Sequence, residues 1–313
     1  MYKKLIALAT LSLSMSSLMA QEDLLSLVED PNAGKNETVF ATFKTTKIGN
    51  SQSIETVKKG SLDFRVSHRF SDMGTASSIH NLGGIDKVED IRITFDYGIT
   101  NNLTVGFSRN KVNELLEVYG KWRFMEQTTN NKVPVTMAVY TEAGYTPQLT
   151  STLYAGVDPT AVAKYTSTDQ TLQRFSYFYQ LMIARKFNNW LSLQVMPSYN
   201  YRNFVRADVN PKNNAVETNG LLSCGFGGRI KFTKRIALIA DYFYTFSDYR
   251  ANNDIYHNPL SVGMEWETGG HVFHMNFTNN GALSENNFLP TTSGNWAKGE
   301  FKFGFNISRV FTF

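Results

Sequence analysis

The sequence predicts an all-β fold: a single antiparallel transmembrane β-barrel of about twelve strands. Three observations point there. Apolar residues recur with period two from residue 61 to the C-terminus, many of these runs reach nine or more residues, and the links between them alternate between short and long. Soluble strands average ~5–6 residues, whereas a tilted membrane strand needs ~9–11.

The chain begins with an export signal. Lys3 and Lys4 precede a moderately apolar run over 5–18, and Ala20 supplies a small residue for cleavage. This is the layout of a secretory signal peptide over residues 1–20. Gln21 stands where a lipid anchor would need Cys. No later stretch approaches the ~20 apolar residues of a helical span. The single cysteine excludes an intrachain disulfide framework, and the aromatic content excludes disorder. The net charge of +4 falls close to neutral once Lys3 and Lys4 are removed, so no nucleic-acid partner is implied.

Residues 21–59 form an N-terminal segment. Residues 22–30 suit a short amphipathic helix, stopped at Pro31-Asn32-Ala33-Gly34. Residues 39–48 have strand character and 52–57 are weakly β. Either they pair as a hairpin and make fourteen strands, or they fold into the lumen and leave twelve. Lys44, Thr45, Thr46 and Lys47 are too polar to face lipid, which favours the insert.

The barrel occupies residues 60–313. In its first strand Leu62, Phe64, Val66, His68 and Phe70 share one face, with Asp63, Arg65, Ser67 and Arg69 opposite. In the second, Ile91, Ile93, Phe95, Tyr97 and Ile99 alternate with Arg92, Thr94, Asp96 and Gly98. Such strict alternation marks strands with one apolar face. Further runs start near Leu103, Leu116, Val133, Leu172, Leu191, Leu221, Ile236, Leu260, Val272 and Phe301. The links 71–89, 146–170, 202–216, 247–258 and 279–297 are long, while 100–102, 188–189, 233–234 and 267–270 are tight. Outer-membrane barrels sort their connections this way, with short periplasmic turns and long extracellular loops.

The apolar face carries large aromatic residues such as Trp122, Phe124, Tyr177, Tyr179, Tyr199, Tyr244 and Trp266, several at strand ends where girdles meet lipid headgroups. Lipid is therefore the first expected partner. Arg309 interrupts this face in the last strand, and either snorkels or turns inward at a bulge. The last strand alternates Phe301, Phe303, Phe305 and Ile307 and ends on Phe313. It resembles the signal by which the barrel assembly machinery recognises its substrates.

Residues 39–70 also resemble a family. FATFKTTK, the SIET segment and the strand G-x-L-x-F-R-V-S-H-R-F are similar to the opening of exported β-barrel proteins of Bacteroidota, catalogued as a domain of unknown function. The resemblance extends to the C-terminus. It implies an outer-membrane barrel and supplies no activity or catalytic residue.

The polar face gives the candidate pore lining: Arg65, Arg69, Arg92, Lys121, Arg123, Arg229, Lys231 and Lys302, with Asp96, Glu117, Asp241 and Glu265. Arg174 and Lys186 add to the bases; Asp63, Glu142 and Glu300 add to the acids. A slight basic excess predicts either a narrow, weakly anion-preferring pore or a closed interior stapled by charge. The runner-up is a non-conducting structural or docking barrel whose loops, 146–170 above all, bind a partner whose identity the sequence leaves open. No enzyme, cofactor or metal site is expected. His271 and His274, three apart on a strand, point to opposite faces and cannot chelate together. The stretch Asp208-x-Asn210-x-Lys212 lacks the ligand and glycine of a calcium loop. Cys224 reads as a small lipid-facing residue, and Gly225, Gly227 and Gly228 predict a bulge or a close approach to the wall.

Overall fold

The computed structural model describes residues 37–157 and 170–313. The expected signal peptide and the short helix at 22–30 lie outside the described residues. The strands are β1 (Ser61–Asp72), β2 (Val88–Thr100), β3 (Leu103–Asn110), β4 (Leu116–Met125), β5 (Thr136–Tyr145) and β6 (Phe175–Lys186). They continue with β7 (Leu191–Arg202), β8 (Gly220–Lys231), β9 (Ile236–Phe246), β10 (Leu260–Glu267), β11 (Val272–Thr278) and β12 (Lys302–Thr312). Each pairs antiparallel with its chain neighbours, and β1 pairs with β12, Val66 opposite Ile307, to close the barrel. Closure leaves no sheet edge, the condition for a sheet to cross lipid.

The burial pattern is inverted relative to a soluble barrel. On β2, Arg92 is 2% exposed while Phe95 is 41% exposed. On this strand the charged side chains point into the lumen and the aromatic ones point out, which is stable only where lipid bathes the wall. Arg309 stays on the outer face, its guanidinium 5.1 Å above the Phe311 ring, and the β1–β12 register is unbroken there. It therefore snorkels and does not bulge inward.

Two strands begin later than periodicity suggests. β5 starts at Thr136 because Pro134 cannot donate to the ladder. β6 starts at Phe175, after a helical turn over Gln170–Gln173. The β8 glycines pair in regular register on both sides, so they mark no bulge. They mark close approach: a Cβ at Gly225 would enter the Phe243 ring, and one at Gly227 would meet Ile48 of the N-terminal segment.

Candidate functional site

The lumen is filled by two elements that enter from opposite ends. From the turn end comes the N-terminal segment. It is tied to the rim by the Val39 N–H, which donates to the Gln127 carbonyl at 2.7 Å, and by a Lys44–Glu267 ion pair at 2.7 Å. It rises, reverses through Ile48-Gly49-Asn50-Ser51, and returns to β1. Lys47 and Gln52 form an antiparallel bridge across this hairpin. At the tip the Gly49 and Asn50 N–H groups both donate to Asp241 Oδ2 at 2.9 Å. Gly49 is needed there, since a Cβ would lie 2.5 Å from that oxygen and 2.8 Å from Ser261 Oγ.

Lys121 holds both arms of the hairpin. Its ammonium donates to the carbonyls of Thr46, Ser53 and Glu55 at 3.1, 2.9 and 3.1 Å, which uses all three protons. Lower down, Val57 N–H donates to Thr104 Oγ1 at 2.8 Å, and Arg123 reaches Glu55 at 3.6 Å.

From the loop end the β11–β12 connection dips inward and forms a short helix, α1 (Glu285–Thr291). Ser284 caps it by accepting the Asn286 N–H, and its hydroxyl donates to Glu117. Asn286 donates to Glu142 at 2.7 Å. The first residue of α1 joins the two stoppers. Glu285 accepts from Lys47 Nζ at 3.0 Å and from the Gln52 N–H at 2.8 Å. Arg92 lies beneath, 2.8 Å from Glu117, 3.7 Å from Glu142 and 3.9 Å from Glu285.

The wall has two characters. Over β5–β9 its inner face mixes an apolar cluster with buried polar residues such as Glu142, Gln194, Asn200 and Asp241. Tyr140, Phe178, Met182, Met196, Ile239 and Phe243 pack with Phe43, Ile48 and Ile54 of the hairpin and Phe288 and Leu289 of α1. Over β1, β11 and β12 it is polar. There Asp63 Oδ1, Arg65 Nε and Nη1, Arg69 Nε, His274 Nδ1 and Asn306 Oδ1 are buried and make no hydrogen bond to another described residue. A smaller group of the same kind sits at Gln180, Asn200 and Ser223. Between the hairpin and the β1–β2 wall a gap of about 20 Å³ remains, with Arg65, Arg92, Lys47 and Asn306 in its lining. It has room for about one water molecule.

Most of the sequence-derived lining therefore lies inside and is engaged. Arg65 pairs with Asp63 at 3.0 Å and Arg69 donates to Asn50 and Asn276. Asp96 accepts from Tyr119 and Thr46. Arg229 pairs with Glu265 at 2.8 Å, and Lys302 with Asp72 at 2.5 Å. Lys231 is half-exposed at the turn end of β8. Arg174 and Glu300 lie outside the strands. Arg174 ties down the β5–β6 loop through the Thr146 carbonyl at 3.0 Å, and Glu300 accepts the Asn295 N–H at 2.8 Å. Lys47 belongs to the run that favoured the insert, whereas the luminal places of His274 and Glu285 were not foreseen. The apolar pairs Ala282-Leu283 and Phe288-Leu289 in this loop were the available signal for α1.

Residues 43–311 match the model of a family described as a membrane bound beta barrel domain (DUF5777), and the chain belongs to that family. No curated protein sequence matches it. Among solved structures it is similar to the NanC porin, at 8% identity, with 80% of this chain and 99% of that one covered and a TM-score of 0.46. It is also similar to the KdgM porin, at 9% identity, 81% and 99% coverage and a TM-score of 0.42. An outer membrane channel from Pseudomonas putida F1 matches at 12% identity, 83% and 98% coverage and a TM-score of 0.46. Likeness at this level says nothing about cargo.

Proposed function

We propose that this member of the membrane-bound barrel family is a narrow outer-membrane pore for small solutes or ions, held shut at rest by the hairpin and α1. The short turns then face the periplasm and the long loops the exterior, and the strand ending in Phe313 is what the assembly machinery reads. One observation carries the reading: the unevenness of the lumen. The stoppers are anchored by apolar packing on the β5–β9 side only. Against β1, β11 and β12 they meet a polar wall that hydrogen-bonds the hairpin through Arg65 to Thr46 and Arg69 to Asn50. Yet Arg65 Nε and Nη1, Arg69 Nε and Asn306 Oδ1 are left without protein partners, so water is the partner left to those atoms. A wall built only for stability would satisfy those groups or replace them with apolar ones. A hydrated seam beside Arg65 and Arg69 is a ready path once the stoppers shift.

The filled lumen also favours a second reading, a non-conducting barrel that docks a partner through its loops. Single-channel recording of the refolded mature protein in planar bilayers separates the two. Discrete steps that become more frequent when α1 is excised support the pore. A folded barrel that stays silent with and without α1 supports docking.

A further inference from the structure

The loop end holds a second cavity, of about 580 Å³. That lies within the range of small-molecule sites. Leu289 and Thr292, at the C-terminal end of α1, form part of its lining. The rest comes from the end of β9 and the β9–β10 loop.

The polar groups in the lining define the ligand class. The side chains of Asp248, Asn252 and His257 make no hydrogen bond to another described residue. Arg250 is committed. Its Nε and Nη2 donate to the Pro290 carbonyl at 3.3 and 2.8 Å, Nη2 reaches Glu217 at 2.9 Å, and its face lies 5.0 Å from the Tyr256 ring centroid. Only Nη1 is left uncommitted, on a guanidinium already paired with the Glu217 carboxylate, so an anion would be poorly served. A metal ion would find a single free carboxylate, far short of a hard-cation shell. What the cavity offers is a carboxylate, an amide and an imidazole beside aromatic rings, the Thr245 hydroxyl being already donated to Asn258 Oδ1 at 3.1 Å. That combination suits a neutral polyhydroxylated ring, whose hydroxyls take the polar groups and whose C–H face lies on an aromatic ring.

The cavity also touches the stopper. Two of its residues hold the end of α1: Arg250 through the Pro290 carbonyl, and His257, whose backbone N–H donates to the Thr292 carbonyl at 3.0 Å. A ligand that draws the Asp248, Asn252 and His257 side chains onto itself pulls on the loop that carries both anchors, and so biases α1 between its seated and released positions.

We propose that this mouth cavity binds a neutral saccharide and that its occupancy loosens α1. The second half rests on the stoppered-pore reading; the first does not. The test uses the refolded full-length mature barrel, with maltose as the neutral probe and glucuronate as the acidic one. Saturation-transfer NMR in detergent is expected to show contact with maltose, about tenfold weaker in Asp248→Ala, the loss of one charge-assisted contact. The Asp248 side chain bears no hydrogen bond, so the variant should fold, and heat-modifiable gel mobility checks this. Transfer to glucuronate but not maltose would overturn the ligand class, and transfer to neither would overturn the site. In bilayers, more frequent openings with maltose in the wild type but not in Asp248→Ala would support the coupling. Binding that leaves openings unchanged would remove the coupling and keep the site. A barrel silent under every condition would sink the pore reading and the coupling together, while the NMR result alone would decide the site.

Discussion

Glu285 is where the two stoppers meet, so its charge should set how often they part. The side chain is fully buried, and it supplies the carboxylate for Lys47, whose other contact is the Asn50 carbonyl at 3.1 Å. Glu285→Gln keeps the shape and removes the charge, which leaves a buried ammonium without a counter-ion. Breaking one side of a buried pair costs ~3–5 kcal/mol. The Gln oxygen still accepts one hydrogen bond, and Arg92 keeps Glu117 at 2.8 Å, so the lower end applies. About 3 kcal/mol taken from the closed state alone raises the open-to-closed ratio about 10²-fold, at ~1.4 kcal/mol per tenfold. Single-channel open probability reads this directly. The companion variant is Lys47→Met with Glu285→Leu. Replacing both members of a buried pair by apolar residues is often neutral or stabilising, so this double variant should close as well as the wild type. Open probability in Glu285→Gln equal to that of the wild type would refute the latch. A double variant as leaky as the single one would refute the charge argument behind it.

Other expectations concern the hairpin, the loops and the seam. A Cβ at Gly98 overlaps the backbone carbonyls of Val57 and Lys58, so Gly98→Val should push the returning arm off the wall. Limited trypsinolysis after Lys58 and Lys59 should then run about tenfold faster, and an unchanged rate would count against the close packing of that arm. In the loops, burial alone would raise the Glu217 carboxyl, but Arg202 and Arg250 together hold it below the ordinary carboxylate range. A depressed folded value means the stabilisation is present above the unfolded value of about 4.3 and is lost as the pH falls through the folded one. The wild type should therefore outlast Glu217→Gln in loop proteolysis at neutral pH, and the two should converge in acid. Replacing Arg65 and Arg69 with Gln should move the reversal potential toward cations, with about a twofold change in the permeability ratio. No movement would place the conducting path elsewhere in the barrel.

The wall was legible in the sequence because period-two alternation fixes which side chains share a face, and strand length with loop sorting fixes the solvent outside. Arg92 and Phe95, three residues apart on β2, already had to face opposite media. What fills the barrel was not legible in the same way. Alternation is equally satisfied by polar side chains facing water and by polar side chains facing a folded-in segment. The lipid-unfriendly run Lys44-Thr45-Thr46-Lys47 kept the N-terminal segment out of the wall, yet its pairing with Glu285 joins residues 238 apart through a loop whose path no local pattern encodes.

One signal did separate the two cases. Strands β5–β9 carry apolar residues on both faces. Tyr140, Phe178, Met196 and Phe243 occupy inward positions where a water-filled channel would need polar groups. In lipid, an outward apolar face needs no further explanation, but an inward one must be covered by protein. Two-faced strands on one side of a barrel therefore betray a luminal insert in the residue pattern itself, and they locate the side on which it is anchored. On the opposite wall, where alternation stays strict through Asp63, Arg65, Ser67 and Arg69, the hairpin is met by hydrogen bonds, Arg65 to Thr46 and Arg69 to Asn50, and not by apolar packing.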